Sequence, residues 1–433
     1  MKSPSFEKIV LDNGITLLIE RIPYLSTVAI GYWMNFGSRE EEPPMQGSTH
    51  YIEHMMFKGT PRHSPSDIAH EIEYAGGGIN ALTGKELTCC YVRILPDNLP
   101  IAIDILSDIY FSSVFPQEEF IREKQVILEE IKDVEDTPED LVYDLFHEDT
   151  FGKDGLGHPV LGCEETVNGI TRDALYQIYR DQYKPCNLIV AVAGNPENHD
   201  LPALILNSCR LSVVSSKIKP TTYNLQPTTY NTGIRLHDRT IEKTHFIMGT
   251  EGVPYDHKDR FVYGVLDIIL SGGMSSRLFQ EVREKRGLVY DIGTENVHYR
   301  DTGIFSLSAS TRPANLDEVL KVTTAELKKI KEGIVSEDET TRVKNQLRAS
   351  IAMSLESVTS RMMKIARSEM YYERDIPDEE IMEMVRRVSI NDLVRIANEI
   401  FLPNRFMFTT LGPMPDGDGS RLTDCFREII QTL

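Results

Sequence analysis

The chain matches itself at a nearly constant offset, and this limits its fold more than any other feature of its 433 residues. Ile170-Thr171 through Leu175, then Pro185 and Gly194, return as Val388-Ser389 through Leu393, Pro403 and Gly412, each 218 residues later. Glu71-Ile72 and Gly77 return as Glu281-Val282 and Gly287 at an offset of 210. Glu118-Glu119 to Ile131 returns as Asp338-Glu339 to Ile351 at 220. A register held over such spans favours two copies of one structural plan. The length also exceeds what one hydrophobic core serves, so two domains are expected. Residues 212–233, rich in Ser, Thr, Lys, Pro and Asn, have linker composition and divide the chain into expected halves 1–211 and 234–433.

Local patterning fills in the first copy. Asp12-Asn13-Gly14 between apolar runs predicts a hairpin over 9–22, because Asn and Gly both tolerate positive φ. A strand is expected over 28–36 and helices over 47–56 and 65–74, with Ser64 or Ser66 as the N-cap of the second. Residues 79–95 read as an extended segment continuing into a strand. Helices follow over 99–111 and 116–134, the longer one burying Val126, Ile127, Ile131 and Val134. Thr171 caps a helix to 179, and 188–193 is a wholly apolar strand.

The net charge of −20, from 66 acidic and 46 basic residues, argues against a nucleic-acid partner, since phosphate would be repelled. It fits attraction of cationic ligands. Six cysteines follow no metal-ligand or disulfide-framework spacing, and reduced thiols in a cytoplasm are expected. No secretory or transit pattern and no membrane-length apolar run is evident, so the expectation is a soluble cytoplasmic protein with no membrane partner.

Chemistry concentrates in Gly47-Ser48-Thr49-His50-Tyr51-Ile52-Glu53-His54. On a helix His50 and His54 stand one turn apart on one face, the spacing that lets two imidazoles hold one Zn²⁺. Glu53 between them is placed to act as general base toward a water. The order H-x-x-E-H inverts the common zinc-peptidase pattern. A catalytic zinc takes three protein ligands, and a carboxylate from the acidic helix over 116–134 completes the set better than the other histidines do. Spacing leaves Glu118, Glu119, Glu123, Glu129, Glu130 and Glu135 open. At the corresponding positions of the second copy stand Ile268, Ile269 and Leu270, with Val343 and Ser350 where the first copy has Glu123 and Glu130, so one metal per chain is expected.

With Gly37-Ser38-Arg39, Gly77 to Tyr91, Glu135-Asp136-Thr137-Pro138-Glu139 and Gly273 to Tyr290 in order around this motif, nearly the whole chain resembles the pitrilysin/insulinase superfamily of inverted-zincin metallopeptidases. It is most similar to the short bacterial branch, akin to the mitochondrial processing peptidase subunits. The resemblance implies an α+β fold of two homologous halves, each an antiparallel-rich mixed sheet packed by helices. It implies one Zn²⁺ on His50, His54 and Glu130, with Glu53 as base and Glu123 orienting a ligand histidine. Asn80 and Ala81 are implied on an edge strand where substrate adds as a further strand. Arg283 and Tyr290 are implied as substrate and oxyanion contacts, within the chain or across a homodimer. The implied activity is endopeptidase cleavage of unfolded peptides in a chamber, and the acidic balance points to basic peptides among them. The competing expectation is a non-catalytic assembly subunit of the same fold, which would have lost the H-x-x-E-H set.

Overall fold

The computed structural model describes residues 4–196, 199–209, 228–414 and 419–433. Residues 210–227, which include most of the expected linker 212–233, lie outside the described residues. The chain forms two compact units, one of Met1–Asp133, Asp154–Leu225 and Ala352–Ile376, the other of Val134–Lys153, Gln226–Ile351 and Pro377–Leu433.

The strands are β1 Ser5–Val10, β2 Thr16–Arg21, β3 Val28–Met34, β4 Gly78–Thr83, β5 Thr88–Ile94 and β6 Leu188–Gly194, followed by β7 Gly233–Asp238, β8 Thr244–Glu251, β9 Val289–His298, β10 Gly303–Thr311 and β11 Met407–Gly412. They build two sheets with one plan: β1-β2-β6-β3-β5-β4 and β7-β11-β8-β10-β9. Only β2–β6 and β7–β11 are parallel; the other neighbours run antiparallel. Among the described residues, strand β1 is the one strand of the first sheet with no counterpart in the second. The α+β fold of two homologous halves follows from this shared order.

The helices repeat too. They are α1 Ser48–Met56, α2 Pro65–Tyr74, α3 Leu99–Ser112, α4 Gln117–Asp136, α5 Pro138–Phe151, α6 Glu164–Gly169, α7 Arg172–Gln182 and α8 Leu201–Ser208. The second series is α9 Arg260–Ser271, α10 Leu316–Lys331, α11 Glu337–Ser354, α12 Val358–Tyr372, α13 Asp378–Arg387, α14 Ile390–Ile400 and α15 Ser420–Ile430. Where the first copy has α2, the second has a π-helical turn, Phe279–Glu284.

In the first unit one sheet face packs Leu17, Ile19, Ile30, Tyr32, Cys90 and Val92 against apolar residues of α1, α2, α3, α4, α7 and α8. The other face packs Leu18, Ala29, Trp33, Cys89, Ala191 and Ala193 against Val358, Met362, Ile365 and Ala366 of α12. Trp33 Nε1 donates to Met362 Sδ at 3.1 Å, and Arg361 pairs with Glu20 at 2.6 Å. Because side chains alternate across a strand, adjacent Cys89 and Cys90 enter opposite cores, and β3 is buried along its whole length. In the second unit α5 fills the equivalent role. Its Asp149 accepts from Thr409 at 2.7 Å and lies 3.0 Å from His237, while Tyr143 meets Ser308 at 2.8 Å.

One local expectation holds and one changes. The β1–β2 turn has Asp12-Asn13-Gly14 as its loop: Leu11 N–H bonds the Ile15 carbonyl, and of the three loop residues only Gly14 has positive φ. On α4 the buried face is Phe120, Glu123, Ile127, Leu128 and Ile131, whereas Val126 is exposed. The helix buries a carboxylate in the stripe, so apolar periodicity alone does not define its inward face.

Candidate metal centre

Helix α1 starts where the chain reverses at Gly47, with φ +90°; a Cβ there would lie 2.5 Å from the Leu161 carbonyl oxygen, so only glycine fits. The buried Glu41 carboxylate stands at this end. It accepts from the Gly47 N–H at 2.7 Å and the Thr49 N–H at 2.5 Å, satisfying donors that a helix start leaves open. Burial pushes Glu41 up to about 7, outweighing these hydrogen bonds, which favour the charged form.

Tyr51 then fixes α1 against α4. Its ring stacks on Phe120 at 4.8 Å, nearly parallel, and its hydroxyl donates to the Phe120 carbonyl. With that register set, Glu123 and Glu130, two turns apart on α4, face the histidines of α1. Nε2 of His50 and His54 lie 3.8 and 3.7 Å from Glu130 Oε2. Bonds of ~2.0–2.1 Å in a tetrahedral zinc site imply ligand separations of ~3.4 Å, so contraction by a few tenths of an ångström would close the set. Among the described residues His50, His54 and Glu130 are the one group of His, Cys, Asp or Glu arranged to hold a metal ion. Burial and the neighbouring His54 lower His50 to about 4, which keeps the imidazole neutral near pH 7, as a metal ligand must be.

Glu53 is part-buried on the same helix, and Thr83 at the end of β4 donates to its Oε2. Burial raises Glu53 above the usual carboxylate range, with the Thr83 hydrogen bond opposing it. A raised carboxylate is a better match to a proton taken near neutral pH. Glu123 Oε2 lies 3.0 Å from His54 Nδ1 and its Oε1 lies 2.7 Å from Lys58 Nζ. Burial alone would raise Glu123; Lys58 and His54 together hold it below the ordinary value.

Strand β4 is the free edge of its sheet, paired on one side to β5. Asn80 and Ala81 lie on it, and the Ala81 N–H is taken at 2.9 Å by the Asn80 side-chain oxygen. Arg283 and Tyr290 belong to the second unit. The Arg283 guanidinium lies over the Phe279 ring at 4.7 Å and over the Tyr290 ring at 5.2 Å, and Tyr290 is 79% exposed. The remaining first-copy histidines nearest in sequence are engaged elsewhere: His63 with Asp108 at 2.8 Å, His70 stacked on Tyr74 at 5.8 Å. In the second copy, Val343, at the place of Glu123, is buried among apolar residues of α11's core. Sequence reasoning missed Lys58, Thr83 and Glu41. Lys58, one turn after His54, had a spacing signal; Thr83 and Glu41 reach α1 from other segments and had none.

Residues 16–164 match the sequence profile of the insulinase family, peptidase family M16, and 169–347 match the peptidase M16 inactive domain. An uncharacterized zinc protease of Streptomyces coelicolor is 36% identical over 96% of this chain and 91% of its own. The chain belongs to peptidase family M16. Another relative in the family, an uncharacterized zinc protease of Bacillus subtilis, is 34% identical over 90% of this chain and 94% of its own. Among solved structures, a protease from Helicobacter pylori superposes with a TM-score of 0.87 at 22% identity, covering 95% of this chain and 100% of that one. A peptidase M16 inactive domain from Pseudomonas fluorescens gives 0.85 at 18%, covering 94% and 98%. At those identities the likeness is one of fold. The inactive-domain match begins at 169 in the first copy and ends within α11, so it includes none of His50, Glu53, His54 and Glu130. No single described helix is long and apolar enough to cross a membrane.

Proposed function

We propose that this chain is a zinc-dependent endopeptidase for unfolded peptides, with His50, His54 and Glu130 as the ligands of one zinc and Glu53 as general base. The observation that carries this is the convergence of two imidazoles and a carboxylate beside a raised, anchored Glu53. Zinc held there supplies Lewis acidity, polarising a scissile carbonyl and making water easier to deprotonate. Glu53 takes the proton from that water and returns it to the leaving amine. Glu123 holds His54 by its Nδ1, leaving Nε2 toward Glu130. The open edge of β4 supports substrate binding as an added strand around Asn80 and Ala81, with the Asn80 amide turning away from the Ala81 N–H. Arg283 and Tyr290 are proposed to contact substrate carbonyls and the developing oxyanion, and the protein to act as a homodimer.

Metal analysis and hydrolysis of an unfolded peptide, with and without chelator, test the reading. Wild-type protein should carry about one zinc per chain and lose activity on chelation. Glu53→Gln should keep the zinc and lose ~10²-fold or more in kcat. Tyr290→Phe should keep the zinc and lose kcat rather than KM. A zinc-loaded Glu53→Gln protein with wild-type turnover would refute the base, and a zinc-loaded but inert wild type would favour an assembly subunit. Sedimentation of the same sample as a monomer would remove the homodimer.

A further inference from the structure

Lys58 lies just beyond the end of α1, where the Lys58 N–H closes the turn on the Met55 carbonyl. Its ammonium reaches Glu123 Oε1 at 2.7 Å, while Glu123 Oε2 is 3.0 Å from His54 Nδ1. The carboxylate is thus held by one oxygen on each side, and at 5% exposure it has little water to turn toward. Both partners come from α1 and the turn that ends it, so the orientation of Glu123 is set relative to that helix. The histidines differ in this respect: the buried His50 Nδ1 has no hydrogen-bond partner among the described residues. Among the described residues, His54 alone of the two is oriented through a chain of polar contacts.

We propose that Lys58 is a positioning residue for the metal centre. It anchors Glu123, and Glu123 fixes the His54 ring with Nε2 directed to Glu130. The inference rests on His50, His54 and Glu130 being the zinc ligands, and concerns a residue that touches none of the reacting atoms. An ion pair that only stabilised the fold would leave zinc affinity alone. A lysine acting through Glu123 would change it, and only while Glu123 is present.

The test is zinc affinity by chelator competition for wild type, Lys58→Met, Lys58→Arg, Glu123→Gln and the Lys58→Met/Glu123→Gln double variant. Thermal melts of the zinc-free proteins run alongside. Lys58→Met should weaken zinc binding by about tenfold or more, the range found when a partner of a metal-bound histidine is lost. Lys58→Arg should recover most of it. The double variant should bind zinc no more weakly than Glu123→Gln alone. Lys58→Gln repeats the comparison, so that a folding defect in one variant does not decide it. Wild-type zinc affinity in Lys58→Met and Lys58→Gln, or losses that multiply in the double variant, would overturn the proposal while leaving the metal centre intact. A wild type that binds no zinc would overturn the metal centre itself, and this inference with it.

Discussion

Glu53 and Thr83 are 30 residues apart and sit on different elements, yet Thr83 donates to the carboxylate proposed as base. A free Glu53 side chain would sample rotamers that point its oxygens away from a water at the metal. The hydroxyl limits that sampling at the end of a strand whose own position is fixed. Gly37–Arg39 is bonded to the turn that follows β4, through Ser38 N–H to the Gly84 carbonyl and Arg39 N–H to the Lys85 carbonyl. The buried Arg39–Glu86 pair at 2.5 Å holds the same turn. Thr83→Val should therefore lower kcat by about tenfold or more, since small misplacements of a catalytic group are costly, with KM and zinc content near wild type. Thr83→Ser, which keeps the hydroxyl, should retain most of the rate. Steady-state kinetics on zinc-loaded proteins decide it, and an unchanged kcat in Thr83→Val would count against a positioning role.

At the scale of the element, α1 shows how burial can override a favourable cap. Glu41 accepts two backbone N–H bonds at the start of the helix, yet burial raises it to about 7. Its folded value lies above the unfolded one, so the folded protein binds this proton more tightly. The stability it contributes is full below about pH 4.5 and is lost as pH rises through about 7. Besides Gly47, Ser48 and Thr49, it is faced by His158 Nε2 at 3.8 Å, which burial lowers. Glu41→Gln should flatten the fall in melting temperature between pH 4.5 and 7.5, whatever its absolute stability. A slope equal to wild type would show that Glu41 does not titrate there. The helix itself was legible from the sequence, as were β2, β3, β6 and the repeat, because local periodicity and turn residues specify them; for the α2 cap the sequence left Ser64 and Ser66 open, and Ser64 takes it. Three kinds of feature were not legible. The split of 79–95 into β4 and β5 depends on a turn with no Asn-Gly or Pro signal. The exposure of Val126 depends on a polar residue, Glu123, facing inward. The supports Thr83 and Glu41 depend on segments meeting in space, and one sequence carries no record of that.

The two compact units do not follow the linker-based division. Helix α5, encoded in the first copy, belongs to the second unit, and α12, encoded in the second, belongs to the first. The exchange obeys the repeat, since Pro138 and Val358, the first residues of α5 and α12, stand 220 apart, the offset of α4 and α11. It has an energetic consequence. A fragment of residues 1–211 keeps the first sheet and loses Val358, Met362 and Ile365, the large side chains that cover Leu18, Ala29, Trp33 and Ala191. At ~1.5–3 kcal/mol per buried side chain, this forfeits on the order of 5–9 kcal/mol, a loss as large as the whole net stability of many domains. The fragment also uncovers an apolar sheet face, an aggregation surface. A fragment of residues 234–433 is short in the mirrored way: it lacks α5, whose Val142 and Phe146 are buried and whose Asp149 bonds β11. Each fragment made alone should lack a cooperative melt and aggregate. The two made together should recover one soluble 1:1 complex, because each then supplies the helix the other unit lacks. A fragment of residues 1–211 that stays monomeric and melts cooperatively would mean α12 is dispensable to the first unit. Cooperative recovery only on co-production would mean that neither sequence half folds on its own, although each carries a full copy of the sheet plan.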